Sequence, residues 1–162
     1  MVKATTKKRD IRRWIVRTIL FVMIGMGAVM VMNLFSKPPA NLGVHDGRLA
    51  NCPGSPNCVC SHDTDSQHAI TPLSYSTEPD TALQRIVDIV SSLGGKVVER
   101  RDGYLRAEFT SRLLRFVDDV EFYFPSTESI IHVRSASRVG YSDLGVNRQR
   151  VEQIRRRFEG ND

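Results

Sequence analysis

Residues Thr18–Leu34 read TILFVMIGMGAVMVMNL, a run without one charged side chain. A bilayer-crossing helix needs ~20 mostly apolar residues, because the hydrocarbon core is ~30 Å thick and each residue rises ~1.5 Å. Trp14–Val16 and Phe35 bring the run to that length, and Arg17 can lay its stem along the helix with its charge at the interface. Lys3, Lys7, Lys8, Arg9, Arg12, Arg13 and Arg17 crowd the preceding flank, opposed only by Asp10. Positively charged flanks stay cytoplasmic. The expected layout is a cytoplasmic basic segment over 1–17, a transmembrane anchor over 18–35, and an exported remainder. That layout is a single-pass protein of a bacterial inner membrane, its C-terminal part extracytoplasmic.

A cleaved signal peptide shares the basic and apolar parts of this pattern. Against cleavage, the run is longer than a usual signal core, and Ser36-Lys37-Pro38-Pro39-Ala40 is a poor peptidase site. Cys52 is too far from the run to take a lipid. A buried core helix is the remaining alternative.

The net charge of +5 is unevenly spread. Seven of the 23 basic and one of the 18 acidic side chains precede Phe35, which leaves 16 against 17 on the rest. A nucleic-acid binder needs its positive field on the folded domain, where it displaces counterions from phosphates. Here that field sits on the anchor. Nucleic acid is therefore not an expected partner.

Beyond the anchor, Ser36–Asn51 reads as a Pro/Gly-containing tether and Cys52–Tyr75 as turn-rich. A tether and Cys-rich neck over 36–70 is expected to lead into an α+β domain over 71–160. Thr77–Leu93 is the clearest helix: Thr77 can cap it, Pro79 suits its first turn, and Asp80 suits its positive end. Leu83, Ile86, Val87, Val90 and Leu93 recur at helical spacing, and Gly94-Gly95 ends the run. Lys96–Arg100 and Tyr104–Thr110 read as strands joined through Asp102-Gly103. The alternation in Tyr104–Phe109 predicts one buried face and one wet face. Leu114–Phe124 alternates again, Pro125–Ser129 turns, and Ile130–Val139 reads as a further strand. Val146–Phe158 closes the chain as a helix with Val151, Ile154 and Phe158 inward. Short turns favour antiparallel pairing. The predicted architecture is an α+β fold with an antiparallel sheet of about four strands and two helices packed on one face.

Three stretches together resemble a known family. They are Cys52-Pro53-Gly54-Ser55-Pro56-Asn57-Cys58-Val59; Tyr104–Ser111 continuing to Phe116–Phe122; and His132-Val133-Arg134-Ser135-Ala136-Ser137-Arg138-Val139-Gly140-Tyr141-Ser142-Asp143-Leu144-Gly145-Val146-Asn147-Arg148. The resemblance is to the uncharacterised bacterial and plastid proteins known as domain of unknown function 1499, and it covers nearly everything after residue 41. It implies a small α/β domain, often exported or membrane-linked, with no established activity. The chain departs from that pattern at Cys60, where such sequences are expected to carry serine.

Three cysteines lie within Cys52–Cys60, with His45, His62 and His68 nearby. An oxidising compartment favours a Cys52–Cys58 disulfide closing a small loop across two prolines. Pairing through Cys60 stays open, as do reduced or redox-active thiols. The sharper alternative is zinc-type metal binding by Cys58, Cys60 and His62, which an extended segment aims to one side. No C-x2-C pair supports it. Asp118 falls on the apolar side of its strand; a bulge at Asp118-Asp119 or a structural arginine partner accounts for that.

Ser142 lies in Gly140-Tyr141-Ser142-Asp143-Leu144-Gly145, which lacks nucleophile-elbow spacing. Anion binding suits the Ser135–Arg148 loop better: helix N-terminal amides with Arg138 and Arg148 can hold a phosphate or carboxylate. Ser142, Asp143 and Asn147 complete that candidate set. In the competing account, Asp143 or Asn147 caps the helix and the arginines pair with Asp118, Asp119 or Glu121. The expected function is a membrane-anchored, non-enzymatic envelope module that needs no cofactor and binds an anionic small molecule or an envelope protein. A metal-binding or thiol-redox protein built on the neck, or an enzyme, is the alternative.

Overall fold

The computed structural model describes residues 3–160. In chain order these form α1 (Lys3–Leu34), β1 (Val44–His45), β2 (Arg48–Leu49), β3 (Cys58–Cys60), β4 (Leu73–Ser74) and α2 (Pro79–Ser92). There follow β5 (Lys96–Arg101), β6 (Tyr104–Thr110), β7 (Val117–Tyr123), β8 (Ile130–Ser137) and α3 (Val146–Glu159). Asp10–Val31 of α1 is long and apolar enough to cross a membrane, and the rest of the chain leaves it uncovered.

Gly103, at φ 64°, turns β5 into β6 as the Asp-Gly signal predicts. The sheet runs β3-β8-β7-β6-β5 with every pairing antiparallel, and β4 also pairs with β8. Six strands therefore replace the expected four, and β1 with β2 adds a separate hairpin. The additional strands come from segments of two or three residues, too short to display alternation. One of them is Cys58–Cys60, paired to Ala136–Arg134, so ordered structure begins well before Thr71.

Leu105, Ala107, Val120, Phe122, Ile131 and Val133 form the sheet's apolar face, on which α2 lays Leu83, Ile86 and Val90 and α3 lays Val151, Ile154 and Phe158. Both helices cover one face, as predicted. At Gly95 a Cβ would stand 2.5 Å from the Phe109 ring, so only glycine lets the chain leave α2 this close to β6. The start of α2 differs from expectation. Glu78 is extended (φ −60°, ψ 144°), as a residue preceding proline prefers, and Pro79 opens the helix. Thr77 thus falls too early to cap it, and Glu78, at the cap position, makes no side-chain capping bond.

The opposite face of the sheet is not wet. It carries Arg106, Glu108, Asp119, Glu121 and Arg134, its charges are paired with one another, and the chain from Gly43 to Leu49 lies over part of it. Glu121 is fully buried and accepts from Arg134 Nη1 (2.9 Å), Tyr104 Oη (2.9 Å) and the Gly43 amide (2.7 Å). Burial and the neighbouring Glu121 carboxylate hold the Tyr104 hydroxyl well above its ordinary pKa, so it stays a donor. Asp118 and Asp119 sit in unbroken register with β6 and β8, so the bulge is absent and arginines match both carboxylates.

Removing one member of a buried pair strands the other charge, at a cost of about 3–5 kcal/mol. Glu121→Ala should therefore destabilise the full chain on that scale in chemical denaturation. Joint replacement of Glu121 and Arg134 by leucine and methionine should recover most of the loss.

Candidate functional site

Where β6 hands over to β7, and β8 to α3, two loops meet around a cavity of about 150 Å3. Ser111, Ser137, Ser142, Asp118 and Asp143 line it together with Phe116, Val139, Gly140 and Val146, and most of its exposed wall is apolar. The strand register explains the mixture. Asp118 and Ser137 face each other across β7 and β8 on the helix side of the sheet, at its end, where α3 no longer covers them with apolar side chains. Asp118 is matched by Arg150 Nη2 of α3 (2.5 Å).

Of the residues expected to bind an anion, Ser142 and Asp143 line this cavity, and Arg138, Asn147 and Arg148 do not. Arg138 grips Asp119 through Nε (2.7 Å) and Nη2 (2.9 Å), reaches Glu108 through Nη2, and donates Nη1 to the Ser36 carbonyl (3.1 Å). Those carboxylates raise its pKa, so the guanidinium is permanently charged and permanently occupied. Arg148 donates to the carbonyls of Ala69 (2.9 Å) and Gln67 (3.0 Å). The amides of Gly145 (2.9 Å) and Asn147 (2.7 Å) donate to the Asp143 carboxylate. The positive end of α3 thus faces an anion the protein itself supplies. Asn147 is buried and donates Nδ2 to Asn57 O (3.0 Å) and Ser137 Oγ (3.0 Å), while its Oδ1 accepts from Arg150 (2.7 Å). Ser142 Oγ accepts the Leu144 amide (3.2 Å), with no histidine beside it among the described contacts.

The neck adjoins this loop without lining the cavity. Asn57 Nδ2 donates to the Gly140 carbonyl (2.7 Å), which clamps the β8–α3 connection to the start of β3. Cys52 and Cys58 are disulfide-bonded, their Cα atoms 5.6 Å apart. Cys60 is free and buried, and burial raises its thiol pKa. The disulfide removes Cys58 from the Cys58, Cys60 and His62 metal set. Among the described residues no three His, Cys, Asp or Glu side chains are grouped as a metal site. His68 donates Nδ1–H to the Cys58 carbonyl (3.0 Å), and exposed His45 approaches the Leu42 carbonyl (3.3 Å).

A second polar cluster escaped sequence reasoning. His62 stacks on His132 with centroids 3.7 Å apart, and Tyr123 stacks on His132 at 6.2 Å. Ser61 Oγ lies 3.0 Å from His132 Nδ1 and accepts the Val133 amide (3.0 Å). His62 Nδ1 accepts the Leu49 amide (3.2 Å). Its members come from β2, the turn after β3, β7 and β8, so only the pairing of those strands could have revealed it. No carboxylate hydrogen-bonds to either ring among the described residues. Burial, then His132 and Arg48, lower the His62 pKa from 6.5 to about 4, with Asp63 opposing; burial likewise lowers His132. Both rings are neutral at pH 7, which suits a stacked structural pair better than a proton shuttle.

Between pH 6.5 and about 4 the unfolded chain takes up a proton at His62 that the folded chain refuses. Stability should be complete above this window and fall as pH drops through it, with His132 acting in the same direction. Melting temperature against pH should show that slope, and His62→Gln should flatten it. Equal slopes for both proteins would remove the stacked pair as its source.

No curated protein and no solved structure matches the chain. The model of one family, described as Protein of unknown function (DUF1499), matches residues 48–158, from β2 to the last turn of α3. That span holds the neck, the whole sheet, both packed helices and the cavity, and the chain belongs to the DUF1499 family.

Proposed function

We propose that this protein is a single-pass, membrane-anchored module of the bacterial cell envelope, its domain on the outer side of the inner membrane, that binds a small ligand rather than transforming one. The basic flank ahead of an uncovered apolar helix supports the anchor and its direction. One observation carries the binding role: two loops converge on one mostly apolar cavity bordered by three serines and two aspartates, with no cysteine in its wall. Each carboxylate there already has protein donors, Arg150 for Asp118 and backbone amides for Asp143. Such a wall orients a guest by hydrogen bonds and offers no activated nucleophile.

The ligand that fits is largely apolar and carries a hydrogen-bond donor, as a small alkylamine does, because most of the cavity wall is apolar. The commitment of Arg138 and Arg148 to protein acceptors weighs against an anion.

Two outcomes are expected. A reporter active only outside the cytoplasm, fused after Asp162, should be active, and the mature chain should keep its N-terminus; cytoplasmic activity, or a chain starting near Ala40, would defeat the anchor. In a thermal-shift screen of the detergent-solubilised full chain against small alkylamines and amino alcohols, at least one should raise the melting temperature by several degrees. Mass action gives ~2.7 kcal/mol at a hundredfold excess over Kd. Ser142→Trp, which fills the cavity mouth, should abolish that shift and leave the unliganded melting temperature nearly unchanged. A panel without effect on the unmodified chain sinks the binding role.

A further inference from the structure

The large apolar side chains that stay exposed are confined to a small part of the domain. Among the described residues after Phe35 they are Leu113, Val139, Tyr141, Leu144 and Val146, and every one belongs to the β6–β7 loop or the segment from β8 into α3. Leu113, Tyr141 and Leu144 are 70, 75 and 88 % exposed. These two segments are neighbours, since Ser111 and Phe116 of one share the cavity with Val139, Gly140 and Ser142 of the other. They also meet the end of α1. Asn33 Nδ2 donates to the Leu114 carbonyl (2.9 Å), and Arg138, at the start of the second segment, donates to the Ser36 carbonyl.

We propose that these two segments form one surface that rests on the lipid headgroups of the leaflet from which α1 emerges, with Leu113, Tyr141 and Leu144 dipping into the interface. This rests on α1 spanning the membrane, as proposed above. Continuity with the anchor selects the bilayer as the occupant. A patch hydrogen-bonded to the end of a spanning helix lies at the depth of the headgroups, where apolar side chains leave water and tyrosine is at home. Charge agrees with that placement. Arg112 and Arg115 flank Leu113-Leu114 and have no ion-pair partner among the described residues, so both are available to lipid phosphates. Leu144 also holds the left-handed conformation (φ 56°), which presents a large apolar side chain where nothing in the domain covers it. On this account the cavity opens beside the membrane surface, and its ligand is drawn from, or delivered to, the lipid interface.

Trp14 is the sole tryptophan, which provides the test. The unmodified full chain is reconstituted into phosphatidylcholine–phosphatidylglycerol vesicles with or without brominated acyl chains, and emission is compared. The same measurement is made on two chains carrying Trp14→Phe, one with Leu144→Trp and one with Thr127→Trp in the exposed β7–β8 turn. Bromolipid should lower the emission of the Leu144→Trp chain at least about twofold, as expected of a ring ~5–10 Å into the headgroup boundary, and leave the Thr127→Trp chain unchanged. Adding Arg112→Gln and Arg115→Gln should lessen the loss in vesicles rich in phosphatidylglycerol. Quenching of Trp14 in the unmodified chain without quenching in the Leu144→Trp chain overturns the surface and keeps the anchor. An unquenched Trp14 overturns both.

Discussion

Glu121 has no contact with water, and a carboxylate can remain ionised there only if donors surround it. Arg134, Tyr104 and the Gly43 amide meet that requirement from β8, β6 and the chain that follows α1. Arg106, Glu108, Asp119 and Arg138 repeat the arrangement one step along the same face. A sheet with helices on one side and a charged opposite side thereby acquires a specific cover, since only a segment that delivers amides and carbonyls at the right places can lie across it. The approach of α1 follows from the same network, because Arg138 holds the Ser36 carbonyl with the guanidinium that grips Asp119.

Elements with many periodic residues were legible in the sequence. The stripes of α2 and α3, the Asp102-Gly103 turn and the alternation of β6 each state their own geometry locally. The cap of α2 and the short strands were not. Thr77 is a good capping residue, but Pro79 and the extended Glu78 decide where α2 begins. β3 and β4 are strands only because β8 offers them an edge, and three residues of sequence carry no trace of that edge. The charged face of the sheet alternated with its apolar one and read as solvent-facing; its burial depends on residues such as Gly43, which lies 78 positions before the Glu121 it bonds, beyond any local pattern.

The Ser135–Arg148 motif was legible as the place to look, and less so as to chemistry. Arginines beside a helix N-terminus suit an anion, yet Asp143 occupies those amides and the arginines turn to carboxylates and carbonyls contributed by other elements. Sequence shows which donors are present, whereas their availability depends on acceptors that only the fold brings near. The cavity is left mostly apolar, and what polarity it has comes from Ser111, Ser137, Ser142, Asp118 and Asp143 at its border.

Cys60 lies two residues from a disulfide cysteine and has no exposure to solvent. Thiol–disulfide exchange needs a thiolate within reach of sulfur, and burial denies the thiol both ionisation and access while β3 is docked on β8. The pairing of Cys52 with Cys58 is thus guarded by the sheet edge itself. Rearrangement can proceed only during excursions in which β3 detaches, so the rate at which alternative pairings emerge becomes a clock for local opening at that edge. A serine at position 60 would stop the clock without altering the bond it reads.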